Sequence, residues 1–258
     1  DVYKRQLLSL PLGTSMEYDG DGFPIYPNGT VMAKTFYYNY DETNLSAGRI
    51  IIETRVLIRQ GNVWHIGNYV WNETQTDAVL DEDTHIIPIT WINEDGIQMS
   101  TDYEVPNYFA CVMCHQNNGN RTPIGPQLRS MNFEVNGSNQ LQQFIDAGHL
   151  TGAPAPSSIT ALPDWTNESI QTETRVRAYF DMNCAHCHAP GGYHNINYYE
   201  ALDMRMETPF NQSGIYDKRW SIITRIQTQI PGYSMPFVGV TLPHAEAIDL
   251  IIPYLESL

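Results

Sequence analysis

Two regimes of hydrophobic patterning divide the chain. Through the first hundred residues, β-branched and aromatic side chains recur in short runs at 30–40, 49–59, 63–71, 85–92 and 97–105, separated by turn-forming residues. Such runs predict strands. Gln60-Gly61-Asn62 predicts a hairpin turn between the second and third runs, and Asn93-Glu94-Asp95-Gly96 predicts one between the last two. Asn, Asp and Gly accept the backbone angles those turns require. An antiparallel sheet or small sandwich of four to six strands follows. After Val105-Pro106 the pattern changes to short helices and long polar loops. Helices are expected at 111–116 and at 139–147, the latter capped by Ser138, then from Asn167 and Glu168 into Cys184, at 218–228, and from Pro243 onward. The last carries Ile248, Ile251, Ile252 and Leu255 on one stripe, and Pro253 is expected to interrupt or kink it. The run from Ala153 through Pro154 and Pro156 to Pro163 has the composition of a linker. The expected organisation is a β-rich region at 1–105 followed by modules at 106–163 and 164–258.

All four cysteines fall in two copies of one arrangement, Cys111-Val112-Met113-Cys114-His115 and Cys184-Ala185-His186-Cys187-His188. Two CxxC pairs admit a structural zinc, two redox disulfides, or two covalently attached haems. Four thiolates would satisfy zinc without a histidine after each pair, and the interval from Cys114 to Cys184 far exceeds the ~15–20 residues of a zinc ribbon. A thioredoxin-like pair follows a strand in a βαβ unit, whereas the run before Cys184 reads as a helix. A c-type haem needs two thiols one helical turn apart for its vinyl groups, with a histidine next in sequence to reach the iron. The motifs therefore point to two covalently bound haem c groups on Cys111, Cys114, Cys184 and Cys187, with His115 and His188 as iron ligands.

The second axial ligand separates electron carriers from catalysts. In the second module Met235, in Pro231-Gly232-Tyr233-Ser234-Met235-Pro236, occupies a proline-flanked loop ahead of the final helix, with Met204 and Met206 as rivals. In the first module the candidates are His149, Met131 and Met99, or an open iron. Gly125-Pro126-Gln127-Leu128 resembles the segment of small cytochromes c in which a proline carbonyl orients the iron-binding histidine. His186 is expected to point outward, and His65, His85, His194 and His244 to be solvated or hydrogen-bonded. No Ser-His-Asp order, P-loop or HExxH occurs.

Charge narrows the partners. The 258 residues carry 14 Lys and Arg against 29 Asp and Glu, a net charge of -15, and only three of the cations are lysines. No basic stripe exists to neutralise a phosphate backbone, so nucleic acid is excluded as a partner. Apolar runs stop well short of the ~18–20 residues of a membrane span. The opening Asp1-Val2-Tyr3-Lys4 lacks a methionine and a signal pattern, so the chain reads as a mature product or a fragment. Asn-x-Ser/Thr sequons, among them those at Asn28, Asn44, Asn72, Asn136, Asn167 and Asn211, are weak evidence because such short motifs recur by chance.

With these motifs in hand, the chain resembles a family of uncharacterised secreted di-haem c-type cytochromes of bacteria. The resemblance rests on Phe23-Pro24, Gly29-Thr30-Val31, Lys34-Thr35-Phe36, Tyr69-Val70-Trp71-Asn72-Glu73, Gln75-Thr76-Asp77-Ala78 and Pro106. It continues through Gly125-Pro126, Asn139-Gln140-Leu141, Arg177-Ala178-Tyr179, Asn183 to His188, and Met235-Pro236. It implies export and an α+β fold, an N-terminal antiparallel β-sheet or sandwich followed by two small all-α class-I-like cytochrome c modules. The expected function is an extracytoplasmic, periplasmic or extracellular, carrier of single electrons between a redox-protein donor and acceptor. Its rivals are a di-haem peroxidase-like enzyme with one open haem, and a subunit of a polymeric extracellular conductor formed from a homo-oligomer. A methionine-ligated second haem is expected to hold the higher potential and to receive electrons from the first.

Overall fold

The computed structural model describes residues 2–198, 202–228, 230, 232–239 and 243–258. Six strands lie before residue 81: β1 (Tyr3–Ser9), β2 (Met16–Glu17), β3 (Val31–Asn39), β4 (Arg49–Gln60), β5 (Val63–Trp71) and β6 (Ala78–Leu80). All but β2 join in one antiparallel sheet of order β1-β3-β4-β5-β6. The β4–β5 hairpin closes with Gln60 opposite Val63, and Gly61 supplies the positive φ of 60° in the turn. β7 (His85–Ile92) and β8 (Gln98–Val105) pair as a separate hairpin. Tyr38 and Ile52 of the large sheet bury Ile89, Trp91, Tyr103 and Val105 of that hairpin.

Residues 106–163 do not form an all-α module. They hold α1 (Tyr108–Cys114), β9 (Gln116–Asn117), β10 (Asn120–Arg121), α2 (Leu128–Met131), β11 (Glu134–Val135), β12 (Ser138–Asn139), α3 (Gln140–Asp146) and β13 (Leu150–Thr151). Two small ladders and a parallel pair of β13 with β2 replace the expected helical bundle. The reason is burial: seven-residue helices have too little surface to form a core of their own. Leu128, Met131, Leu141, Leu150 and Ile159 instead bury against Met16, Tyr26, Met32, Leu57 and Trp64 of the N-terminal region. Among the described residues 28% are helical and 28% lie in strands, so the expectation of two all-α cytochrome modules behind a sheet is corrected.

The C-terminal region is helical. α4 (Thr172–Asn183), α5 (Tyr193–Tyr198), α6 (Ile215–Gln227) and α7 (Ala245–Glu256) follow one another. Val176, Phe180, Ile215, Ile222, Ile223, Ala247, Ile251 and Leu255 form their shared core. Several boundaries moved for local reasons. α4 starts at Thr172 because the carboxylate of Asp164 and the amide oxygen of Asn167 are engaged in turns, accepting from Thr166 N–H and Ser169 N–H. Asn139, not Ser138, caps α3, since its Oδ1 accepts from Leu141 and Gln142 N–H. Asn107 caps α1 in the same way, which shifts that helix ahead of Cys111. Pro253 lies in the last turn of α7 without ending it. Among the described residues no helix is long and apolar enough to cross a membrane.

Candidate functional site

Both CxxCH motifs sit where a helix ends, the first as the last turn of its helix and the second just after its helix, and they share one backbone hydrogen bond. Cys111 is in the last turn of α1, and the His115 N–H donates to the Cys111 carbonyl at 2.9 Å. Cys184 is the C-cap of α4, and the His188 N–H donates to the Cys184 carbonyl at 2.9 Å. Each motif thus spaces its two cysteines by one turn, with the histidine next in sequence.

The fold brings the two motifs together. Asn118 N–H donates to the Gly191 carbonyl at 2.8 Å, and Asn117 Nδ2 to the Pro190 carbonyl at 3.3 Å. An ion-pair network backs this contact: Arg129 of α2 pairs with Glu207 and, at 3.5 Å, with Asp181 of α4. Burial pushes the Asp181 carboxyl above the usual carboxylate range. As a result the side-chain donors of Cys114, His186 and Cys187 lie within 4.8 Å of one another. The closeness of the two thiols holds Cys114 below and Cys187 above the usual thiol range. Cys111 and Cys184 stand outside this group, raised by burial, Cys184 to about 12.

Close backbone approach fixes the second motif. A Cβ on Gly192 would lie 2.5 Å from the Cys187 carbonyl oxygen. Gly192→Ala is therefore expected to cost ~1–3 kcal/mol as an overpacked site, read as a lower midpoint in denaturant. An unchanged midpoint would show that the Cys187 backbone can shift.

Burial holds both motif histidines neutral. His115 is pushed down to about 4 by burial, with Arg55, His186 and Lys34 adding to the shift against the Thr122 carbonyl. His188 is pushed down to about 3 by burial, then by His194, His186 and Arg225. The carbonyl that meets His115 Nδ1, at 3.0 Å, belongs to Thr122. Pro126, expected in that role, instead accepts from the buried Tyr26 hydroxyl at 2.7 Å. His188 Nδ1 is buried without a partner among the described residues, and its ring lies 4.3 Å from that of His194.

The distal candidates are dispersed. His149 is exposed, its backbone tied to Met16 and Phe144, and no hydrogen bond or ring contact joins it to the first motif. Met131 is buried against the sheet, and Met99 is 39% exposed on β8. Met235 is half-buried and its N–H donates to the carbonyl of Arg225, the residue that bears on His188; Pro231 lies outside the described residues. Met204 is buried and its N–H donates to the His188 carbonyl at 2.8 Å.

The sequence places His186 outward and His194 in solvent or in a hydrogen bond, and His194 Nδ1 does meet Asn195 Oδ1 at 3.3 Å. The structure puts His186 between the motif thiols, with Nδ1 buried and unpartnered, and His194 against His188. Only the convergence of the two motifs could have revealed this, and no spacing in the sequence encodes it. The sequons stay ordinary: Asn28, Asn44, Asn72 and Asn167 engage their side-chain oxygens in nearby turns.

No family model, curated protein or solved structure matches the chain.

The donor types at each motif, two thiols and a histidine, are those a c-type haem would take. Neutral histidines and turn-spaced thiols are the donors such a group would engage, while the orphaned His188 Nδ1 is the nitrogen turned away from an iron on Nε2.

Proposed function

We propose that the chain is an extracytoplasmic di-haem cytochrome c that carries single electrons between a redox-protein donor and acceptor. The observation that carries this reading is the duplicated backbone hydrogen bond of the CxxCH turns together with their convergence at Cys114 and Cys187. A covalently held haem supplies reversible one-electron exchange at its iron. The chain's own residues do the rest. Cys111 with Cys114, and Cys184 with Cys187, anchor the two groups. His115 and His188 offer neutral nitrogens, and the Thr122 carbonyl fixes the His115 ring so that Nε2 is the free one. Cys114 and Cys187, with sulfurs within 4.8 Å, would hold the two groups next to each other, which suits direct one-electron exchange. Met235, in a loop whose N–H bonds the Arg225 carbonyl, and Met204, whose N–H bonds the His188 carbonyl, are the residues that would offer a sulfur to the second group. Covalent haem attachment takes place outside the cytoplasm, which gives the proposed periplasmic or extracellular location.

One observation favours a second reading. Cys114, Cys187 and His186 form a three-donor group of the kind that binds a divalent transition metal such as zinc. The two readings exclude one another, because thioether formation removes both thiolates. The test is to produce the chain with and without haem-attachment machinery, then to quantify haem and metal per chain and record ferric and reduced spectra. Two low-spin haems per chain are expected. A colourless chain holding one zinc, from a host that matures other c-type cytochromes, would overturn the haem reading in favour of the metal site. A high-spin component would mark an open iron and turn the electron carrier into a catalyst.

A further inference from the structure

The inner face of the large sheet carries charges that the sheet itself does not need. Lys34 and Arg55 are direct cross-strand partners on β3 and β4, and Lys4 of β1, opposite Phe36, shares their face. Like charges placed directly opposite one another destabilise a sheet. Two of the chain's three lysines nevertheless stand here, in a protein of net charge -15. Among the described residues the only carboxylate paired with the group is Glu53, which is fully buried and bound to Arg55. The Phe36 ring lies 4.2 Å from the Arg55 guanidinium and 5.5 Å from Lys34 Nζ, a contact that tempers positive charge without cancelling it. Three cations against one carboxylate leave two positive charges. Burial, then Lys4 and Arg55, push the Lys34 ammonium down to about 8, as expected where counter-ions are short.

A second observation points to a missing polar ligand. Asn68 faces Arg55 across the β4–β5 register and is 5% exposed, yet neither its Oδ1 nor its Nδ2 has a partner. A buried amide with both atoms unsatisfied is costly unless something else engages it. This face abuts the first CxxCH motif. α1 lies against β5, Arg55 acts on Cys111, Cys114 and His115, and Lys34 acts on His115.

We infer that Lys4, Lys34, Arg55 and Asn68 form the carboxylate cradle for the two propionates of the haem attached at Cys111 and Cys114. The inference rests on the haem reading and extends it by giving the β-rich region a role. A haem carries two carboxylates, the number of unmatched positive charges on this face, and Asn68 adds hydrogen-bonding capacity. Two of the four residues were legible only in retrospect. Lys34 and Arg55 alternate with Met32, Phe36 and Leu57 at inward positions, where a charged side chain is out of pattern.

The test uses the matured, haem-loaded chain. Haem per chain is measured first, then the midpoint potential of each haem by spectroelectrochemical titration. Comparing the parent with Cys111→Ser/Cys114→Ser, which retains the second haem alone, assigns the two potentials. Lys34→Gln removes a positive charge that favours the ferrous state, so the potential of the first haem should fall. The expected shift is of the order of tenfold in its ferric/ferrous equilibrium, about 59 mV for a one-electron couple. The second haem should move much less. Lys34→Arg should restore the parent value, and Arg5→Gln, on the opposite face of β1, should move neither haem. Lys4→Gln, at an exposed position, carries the same test should Lys34→Gln fail to mature. Two haems with no selective shift in Lys34→Gln or Lys4→Gln would overturn the cradle and leave the cytochrome reading intact. A chain that takes up no haem would overturn both.

Discussion

Glu53→Ala should lower the free energy of unfolding by ~3–5 kcal/mol, the range for breaking a buried ion pair by removing one partner. Glu53 is 0% exposed, and each of its oxygens is engaged. Oε1 accepts from Arg55 Nη2 at 2.5 Å and from the Tyr103 hydroxyl at 2.5 Å, and Oε2 accepts from Arg55 Nε at 3.0 Å. Truncation leaves a guanidinium without its anion and a buried phenol without its acceptor, and both losses fall on the folded state. Tyr103 links the large sheet to the β7–β8 hairpin, so the damage extends to the packing of Tyr38, Ile52 and Trp91. Against a total of ~5–15 kcal/mol for a protein domain, this is a large share. Denaturant unfolding of the variant at pH 7.5 measures it. Glu53→Ala/Arg55→Met, which removes the stranded charge as well, should recover much of the loss. A loss under ~1 kcal/mol, the size of an exposed pair, would show that the carboxylate is solvated.

The same residues show where the sequence was readable and where it was not. The β4–β5 hairpin was legible because Gly61 and Asn62 are demanded by local turn geometry and the flanking runs are β-formers. The two CxxCH turns were legible because the bond from each histidine N–H back to its first cysteine spans only five residues. What failed depended on distance. The helices of 106–163 looked like a small bundle because each was read alone, while the sheet face that buries Leu128 and Leu141 lies sixty or more residues upstream. β2 and β13 escaped notice since two-residue strands carry no periodicity, and they exist only because Met16 and Leu150 are buried together. His186 read as exposed because one motif gives no hint of the other. Its burial follows from the loop contact of Asn117 and Asn118 with Pro190 and Gly191. Pro126 was assigned by resemblance to a loop that Tyr26, a hundred residues upstream, engages in another way.

Acid should destabilise the chain more steeply than its carboxylates alone require, beginning near pH 6.5. His115 and His188 are held at about 4 and about 3 in the fold, against 6.5 in an unfolded chain. Above pH ~6.5 neither state binds the proton and the histidines contribute nothing to the pH dependence. Below it the unfolded chain takes up protons that the folded chain refuses, so stability falls with falling pH. Each histidine contributes ~1.4 kcal/mol per pH unit until its folded pKa is reached. Integrated over the window, the loss is on the order of 3 kcal/mol for His115 and somewhat more for His188. Burial is the leading cause at both sites, and at His188 the neighbouring His194 and His186 add to it. An iron on Nε2 would compete with the same proton, so the sign holds for the loaded chain as well. Unfolding in denaturant at half-unit steps from pH 7.5 to 4 measures the slope, and His115→Gln/His188→Gln removes the two protons from the balance. The mean slope between pH 6.5 and 5 should then fall by ~2 kcal/mol per pH unit. An equal slope in parent and double variant would mean that both imidazoles titrate freely in the fold. Neither would then be kept as the neutral nitrogen that the proposed iron ligation requires.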